Sequence, residues 1–221
     1  MTDDLVYSVV VGSRAYGLSG PDSDTDRRGV FLAPADAFWR LDPPPTHRDG
    51  PRPEEFHWEL ARCLSLGLSA NPTVLEVLWS PLVETVTPVG QRLLDARGAL
   101  LSRRVADTYG RYADAQMTKL ASVMARGQPI RWKQAMHMLR LLRAGASVLR
   151  TGQVLVDVSP WRDDLLAVRS GAVPWDDVVA QADELRRDLA RALAETPLPA
   201  DPDRATVEEF LLDVRRTSAC P

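Results

Sequence analysis

GSRAYGLSGPDSDTD, residues 12–26, is the stretch on which the reading of this chain turns. Ahead of it, Leu5 to Val11 (LVYSVVV) is apolar and rich in β-branched residues, the pattern of a strand buried on both faces. Gly12-Ser13 breaks that strand. Glycine lets backbone approach an anion closely. Serine adds a hydroxyl, and free amides at a following helix start add donors for phosphate oxygens. After a short segment, Arg14 to Leu18, and a turn over residues 19–23, a second strand is expected over Asp24 to Leu32. Alternation along it would put Asp24 and Asp26 on one face and Thr25 on the other. Two carboxylates that close repel each other unless a cation lies between them. Mg²⁺ favours carboxylates together with substrate phosphates, so the pair reads as a metal site. The plainer alternative is a solvated, Asx-capped turn, and for Asp22 and Ser23 it is the simpler one.

Working outward, Ala33 to Leu41 reads as a short helix or irregular chain. Asp42 to Pro53 carries five of the 17 prolines and reads as a loop. Glu54 to Trp58 is a third strand candidate, running into a helix through Gly67. Asn71-Pro72 is a helix start, a capping side chain followed by proline at the first helical position, with the helix expected over Thr73 to Trp79. Further helices are expected from Thr87-Pro88, over Leu100 to Met124, over Trp132 to Arg150 closed by Gly152, over Asp176 to Leu193 and over Thr206 to Arg215. The organisation is α/β: a small α/β part, about residues 1–86, then a helical part, about residues 87–221, that completes a cleft. Repeats and low-complexity segments are absent from the sequence.

With 221 residues, 45% of them hydrophobic, the chain can bury a substantial core. A net charge of −3 argues against a strongly basic, non-specific nucleic-acid binder but leaves room for a local basic cleft. Nothing approaches the ~20-residue apolar run of a membrane helix. The start, Met-Thr-Asp-Asp, lacks a basic leader, so a cytoplasmic protein without signal peptide is expected. Cys63 and Cys220 have no metal-ligand spacing. Only Lys119 and Lys133 among the 27 basic residues are lysines, so each is a candidate for a place that needs a compact ammonium rather than a guanidinium. Lys133, His137 and Arg140 fall on one helical stripe beside the apolar Ala135, Met138, Leu139 and Leu142. By composition alone a solvated basic face is the simpler reading of that stripe.

Gly-Ser, about ten residues, then Asp-x-Asp resembles the signature of the nucleotidyltransferase superfamily that includes DNA polymerase β. The run GSRAYGLSGPDSDTDRRGVFL, residues 12–32, is similar to one branch, the RNA-ligase-associated nucleotidyltransferases linked to RNA repair. WELARCLSLGLSANPTVLEVLWSP (58–81) and KQAMHMLRLLRAG (133–145) are similar to two further segments of that family, so the resemblance spans about residues 8–170. It implies a small mixed sheet followed by a helical bundle. It implies a Mg²⁺-dependent enzyme, with two ions, that moves a nucleoside monophosphate from an NTP to a hydroxyl, an RNA end among the acceptors. It assigns Asp24 and Asp26 to metal, and Gly12, Ser13, Lys133, His137 and Arg140 to the nucleotide. Arg14 and Arg28 are further nucleotide candidates by position, Arg28 because it neighbours the carboxylate strand, with a surface charge as the plainer reading of both. A third catalytic carboxylate is expected from the next strand. The resemblance places it at Glu54, whereas periodicity leaves Glu54, Glu55 and Glu59 open. The competing reading is a catalytically silent nucleotide-binding or antitoxin-like module of the same fold. The sequence carries no expectation for the base or the oligomeric state.

Overall fold

The computed structural model describes residues 4–219. Residues 1–3 and Cys220, on which the readings of the N-terminus and of the tail cysteine rest, lie outside the described residues. The chain begins with β1 (Leu5–Val10), the single-turn α1 (Gly12–Ala15) and β2 (Arg27–Phe31). A 3₁₀ turn (Ala35–Trp39) leads to β3 (His47–Asp49) and β4 (Glu55–Glu59). Then follow α2 (Leu60–Leu68), α3 (Pro72–Leu78) and β5 (Val83–Val86). The remainder is helical: α4 (Pro88–Ala96), α5 (Arg104–Ala125), α6 (Trp132–Thr151), α7 (Arg162–Ser170), α8 (Trp175–Glu195) and α9 (Arg204–Ala219).

The five strands form one mixed sheet in the order β3-β4-β2-β1-β5. β2 runs antiparallel to β1 and parallel to β4, while β3 and β5 close the edges antiparallel to their neighbours. The caps read from the sequence are in place. The Asn71 side chain accepts from Val74 N–H, the Thr87 hydroxyl accepts from Gly90 N–H, and Pro72 and Pro88 open their helices. β3 and β5 were not expected. They are three and four residues long and mostly exposed, too short for a period-two pattern to register.

β4 reverses the usual pattern. Glu55, His57 and Glu59 are its buried face, and Phe56 and Trp58 are half-exposed. The buried acids survive because each is partnered. Glu55 accepts from Arg52 at 2.7 Å and lies 2.9 Å from His57 Nε2, while Glu59 accepts from Ala61 N–H as the N-cap of α2.

α6 is the spine of the helical part, packed against α5, α7 and α8. α9 returns to pack on α4, α2 and the Ala35–Trp39 turn. A continuous hydrophobic cluster runs from Val9 and Val30 of the sheet through Leu75 of α3 to Leu139 and Leu142 of α6. Between these groups, one link is polar and buried. Arg140 Nη1 donates to Glu76 Oε1 at 2.7 Å, the Tyr16 hydroxyl donates to Glu76 Oε2 at 2.7 Å, and the Arg140 guanidinium lies 3.9 Å from the Tyr16 ring centroid. That knot ties the end of α1, the middle of α3 and the middle of α6 to one another.

Candidate active site

A cavity of about 590 Å³ opens between the 12–26 segment and the helices α6 and α7, within the ~300–1,000 Å³ range of ligand pockets. One wall is the loop, with Gly12, Ser13, Asp22, Asp24 and Asp26. The other is helical. α6 contributes Lys133, Met136, His137 and Arg140, and α7 contributes Arg162, Leu166 and Arg169 at i, i+4 and i+7, a single helix face.

The loop wall is not built as strand alternation suggests. β2 begins only at Arg27, so Asp24 and Asp26 precede it. The reason is local hydrogen bonding. Gly20 N–H donates to the Ser23 hydroxyl, and the Arg14 guanidinium donates to the carbonyls of Ser23 (2.8 Å) and Asp24 (3.3 Å). Those carbonyls are taken by side chains, and pairing with β1 starts where Val11 N–H donates to Asp26 O. Arg14 is therefore a strut behind the loop and not a cavity residue, which corrects its assignment to the nucleotide. Arg28 is corrected likewise: its Nη1 donates to the carbonyls of Arg27 and Glu54, fastening β2 to β4 outside the cavity.

Gly12 has φ +67, and a Cβ built on it would run into the Asp26 carboxylate. The left-handed backbone is what favours glycine here, and a side chain would in addition force the Asp26 carboxylate to move. Gly12→Ala is expected to displace that carboxylate and to add left-handed strain of ~1–2 kcal/mol. The affinity for NTP with Mg²⁺ should fall about tenfold, while affinity in EDTA falls less. Equal affinities for variant and wild type with Mg²⁺ would contradict this.

Asp24 and Asp26 enter no salt bridge among the described residues. The glutamates expected to join them do not. Glu54 is exposed at φ +56 ahead of β4 and outside the cavity. Glu55 is held by Arg52 and His57 on the buried face, and Glu59 caps α2. The assignment of Glu54 as third carboxylate is corrected accordingly. Glu54 does not line the cavity, and no group of three metal-ligating residues assembles among the described residues.

On the helical wall, Lys133 is exposed, His137 half-buried and Arg140 buried. Spacing places all three on the cavity side of α6, but not in equivalent roles. Arg140 is spent on Glu76, so its charge is neutralised beneath the cavity and it is no free phosphate ligand. His137 is uncharged: burial first, then Arg140, pull its pKa from 6.5 down to about 4. Arg140 Nη2 lies 3.4 Å from His137 Nδ1, and a guanidinium can only donate, so the ring proton belongs on Nε2. His137 offers a neutral N–H donor, not a cation. Lys119, the other lysine, is exposed on α5 and does not line the cavity.

A histidine whose folded pKa lies below its unfolded value stabilises the fold while neutral. That contribution is complete above about 6.5 and is lost as pH falls toward about 4. The loss should reach ~3 kcal/mol at the lower end. His137→Gln is expected to flatten the decline of unfolding free energy between these two pH values, measured by denaturant titration. An equally steep decline in the variant would contradict the assignment.

Tyr16, Arg162 and Arg169 are cavity residues that the sequence reading did not single out. Tyr16 is a plain aromatic in the motif. α7 has no capping signal, since its N-cap position, Trp161, makes no side-chain hydrogen bond. The only available signal was RDDLLAVRS ahead of Gly171.

A small mixed sheet carrying a paired-aspartate loop against a helical wall with basic side chains is the arrangement expected of the polymerase-β nucleotidyltransferase type. The chain belongs to the RNA repair pathway DNA polymerase beta family, whose model matches residues 2–213. The resemblance drawn from the three motifs therefore holds. No curated protein matches the sequence. Among solved structures, the chain is similar to a nucleotidyltransferase-like protein from Exiguobacterium sibiricum 255-15. That match has 12% identity and a TM-score of 0.33, covering 98% of this chain and 75% of the other. Among the described residues no helix is long and apolar enough to cross a membrane.

Proposed function

We propose that the cavity transfers a nucleoside monophosphate from an NTP to a hydroxyl acceptor, with an RNA end as the acceptor. The observation that carries this reading is one cavity lined from both sides. Asp24 and Asp26 of the loop and Lys133 and His137 of α6 all line it, and the aspartates enter no salt bridge among the described residues. The donor set suits Mg²⁺: two oxygen ligands in an open cavity where a substrate phosphate can supply more. Asp24 and Asp26 would hold the metal, two ions in the two-metal form of the chemistry. Bound there, it would supply charge stabilisation for an in-line displacement at phosphorus. Ser13 and the Gly12 backbone lie on the loop side and would orient the triphosphate. Lys133 would attract its charge, and His137 Nε2–H would donate to a phosphate or acceptor oxygen. The Tyr16–Glu76–Arg140 knot keeps both walls at a fixed spacing. Family membership in an RNA repair pathway supports the RNA end, and a cytoplasmic location fits that role.

A second reading, a nucleotide-binding module without turnover, is favoured by one observation: no glutamate of the 54–59 segment reaches the aspartates. The test is incubation with Mg²⁺, RNA bearing a free 3′-hydroxyl, and each NTP labelled at the α- or the γ-phosphate. The transferase reading expects α-label in RNA, no γ-label, and released pyrophosphate. Saturable NTP binding with no label in RNA would replace it with the second reading.

A further inference from the structure

The cavity is lined by more positive charge than the motif residues explain, and hydrogen bonding sorts that charge. Arg140 is committed to Glu76. Arg162 donates to the carbonyls of Gly17 and Ser19 and is engaged holding the loop. Outside the cavity, Arg14 and Arg28 are likewise engaged with carbonyls. Arg169 differs: it lines the cavity, is half-buried, and enters no salt bridge among the described residues. Its guanidinium fork is the one on this wall still free to donate.

The chain also fixes where Arg169 sits. α7 ends in Gly171 at φ +76, and a Cβ there would lie 2.7 Å from the Trp132 Nε1. Trp132 is the first residue of α6 and packs edge-on against Trp175, the first residue of α8, with ring centroids 6.5 Å apart. The end of α7 is thereby pressed onto the start of α6. Arg169, two residues before the glycine, and Lys133, one residue after the tryptophan, both line the cavity from these two joined helices. Leu166 and Met136 lie on the same helical wall.

We propose that Arg169 is a ligand-contacting residue that binds the terminal phosphates of the NTP, the part that departs as pyrophosphate. Arg162 is a positioning residue that holds the Gly17–Ser19 turn. This rests on the nucleotidyl-transfer reading above for the identity of the ligand, but its chemistry is independent of turnover. A planar fork donates to two phosphate oxygens at once, which a lysine cannot reproduce. Arg169 should therefore set preference for the length of the phosphate chain and leave the nucleoside end untouched.

The experiment measures dissociation constants of NTP, NMP and inorganic pyrophosphate, each with Mg²⁺, for wild type, Arg169→Ala and Arg169→Lys, together with label transfer by wild type. Arg169→Ala is expected to weaken NTP and pyrophosphate about 10–100-fold while NMP stays within about twofold, with Arg169→Lys intermediate. Unchanged pyrophosphate and NTP affinities, or an equal loss for NMP, would overturn the assignment. If Arg169→Ala does not fold, Arg169→Lys carries the same comparison. Wild-type label transfer with indifferent Arg169 variants would sink this inference alone. Selective loss of pyrophosphate in Arg169→Ala, without any transfer by wild type, would sink the transferase reading and leave this one standing.

Discussion

Asp24→Asn and Asp26→Asn are each expected to lower transfer about a thousandfold or more, with the fold intact. Substituting an amide keeps the shape and removes the charge that holds a metal. Loss of metal-borne stabilisation of a phosphoryl transition state costs several kcal/mol, and each 1.4 kcal/mol is tenfold in rate. The fold should not suffer, because Asp24 is exposed and neither carboxylate has a cationic partner among the described residues. Removing one of two like charges relieves repulsion and should, if anything, raise the melting temperature slightly. Turnover within about tenfold of wild type by either variant would show that the pair is not the metal site.

The largest effect on stability is expected at Glu76. Glu76→Ala leaves the Arg140 guanidinium, 1% exposed, without its counter-ion and leaves the Tyr16 hydroxyl without its acceptor. Burial, the largest influence, opposes the charge on Arg140, but the Glu76 carboxylate, Tyr16 and Tyr109 together outweigh it and hold its pKa above the ordinary value. Breaking such a pair from one side costs ~3–5 kcal/mol, a large part of the ~5–15 kcal/mol that a typical protein has. A double variant, Glu76→Leu with Arg140→Met, should recover most of the loss, because no uncompensated charge remains. Denaturant unfolding of the two variants decides the matter. A loss below about 1 kcal/mol in Glu76→Ala would mean that the knot does not hold the walls together.

These two expectations differ in how far the sequence could anticipate them. The paired aspartates and the Lys133–His137–Arg140 stripe do line one cavity, but the aspartates precede β2, the strand on which alternation was expected to pair them, and it was the resemblance, not spacing, that pointed the stripe at a ligand. The partnership of Glu76 with Arg140 has no local signature. A buried glutamate in α3 calls for an arginine, but 64 residues separate the two, and no local pattern names which arginine. The same limit hid α7. Its inward residues, Arg162, Leu166 and Arg169, have helical spacing, yet whether that face meets solvent or a cavity depends on α6. β4 misled for another reason. Alternation puts Glu55, His57 and Glu59 on one face, and that face is the buried one, because Arg52 and His57 compensate Glu55 and a helix start compensates Glu59. Glu54 lies one residue outside that alternation at positive φ, where strand parity no longer governs its direction.

The account as a whole stands on where nucleotide and metal bind. A crystal structure of the protein with Mg²⁺ and an NTP analogue whose α,β-bridge cannot be cleaved tests this most directly. The expected result has metal on the carboxylates of Asp24 and Asp26, and the triphosphate running from Ser13 toward Lys133 and Arg169. Nucleotide bound elsewhere on the molecule, or metal held without either aspartate, would contradict it.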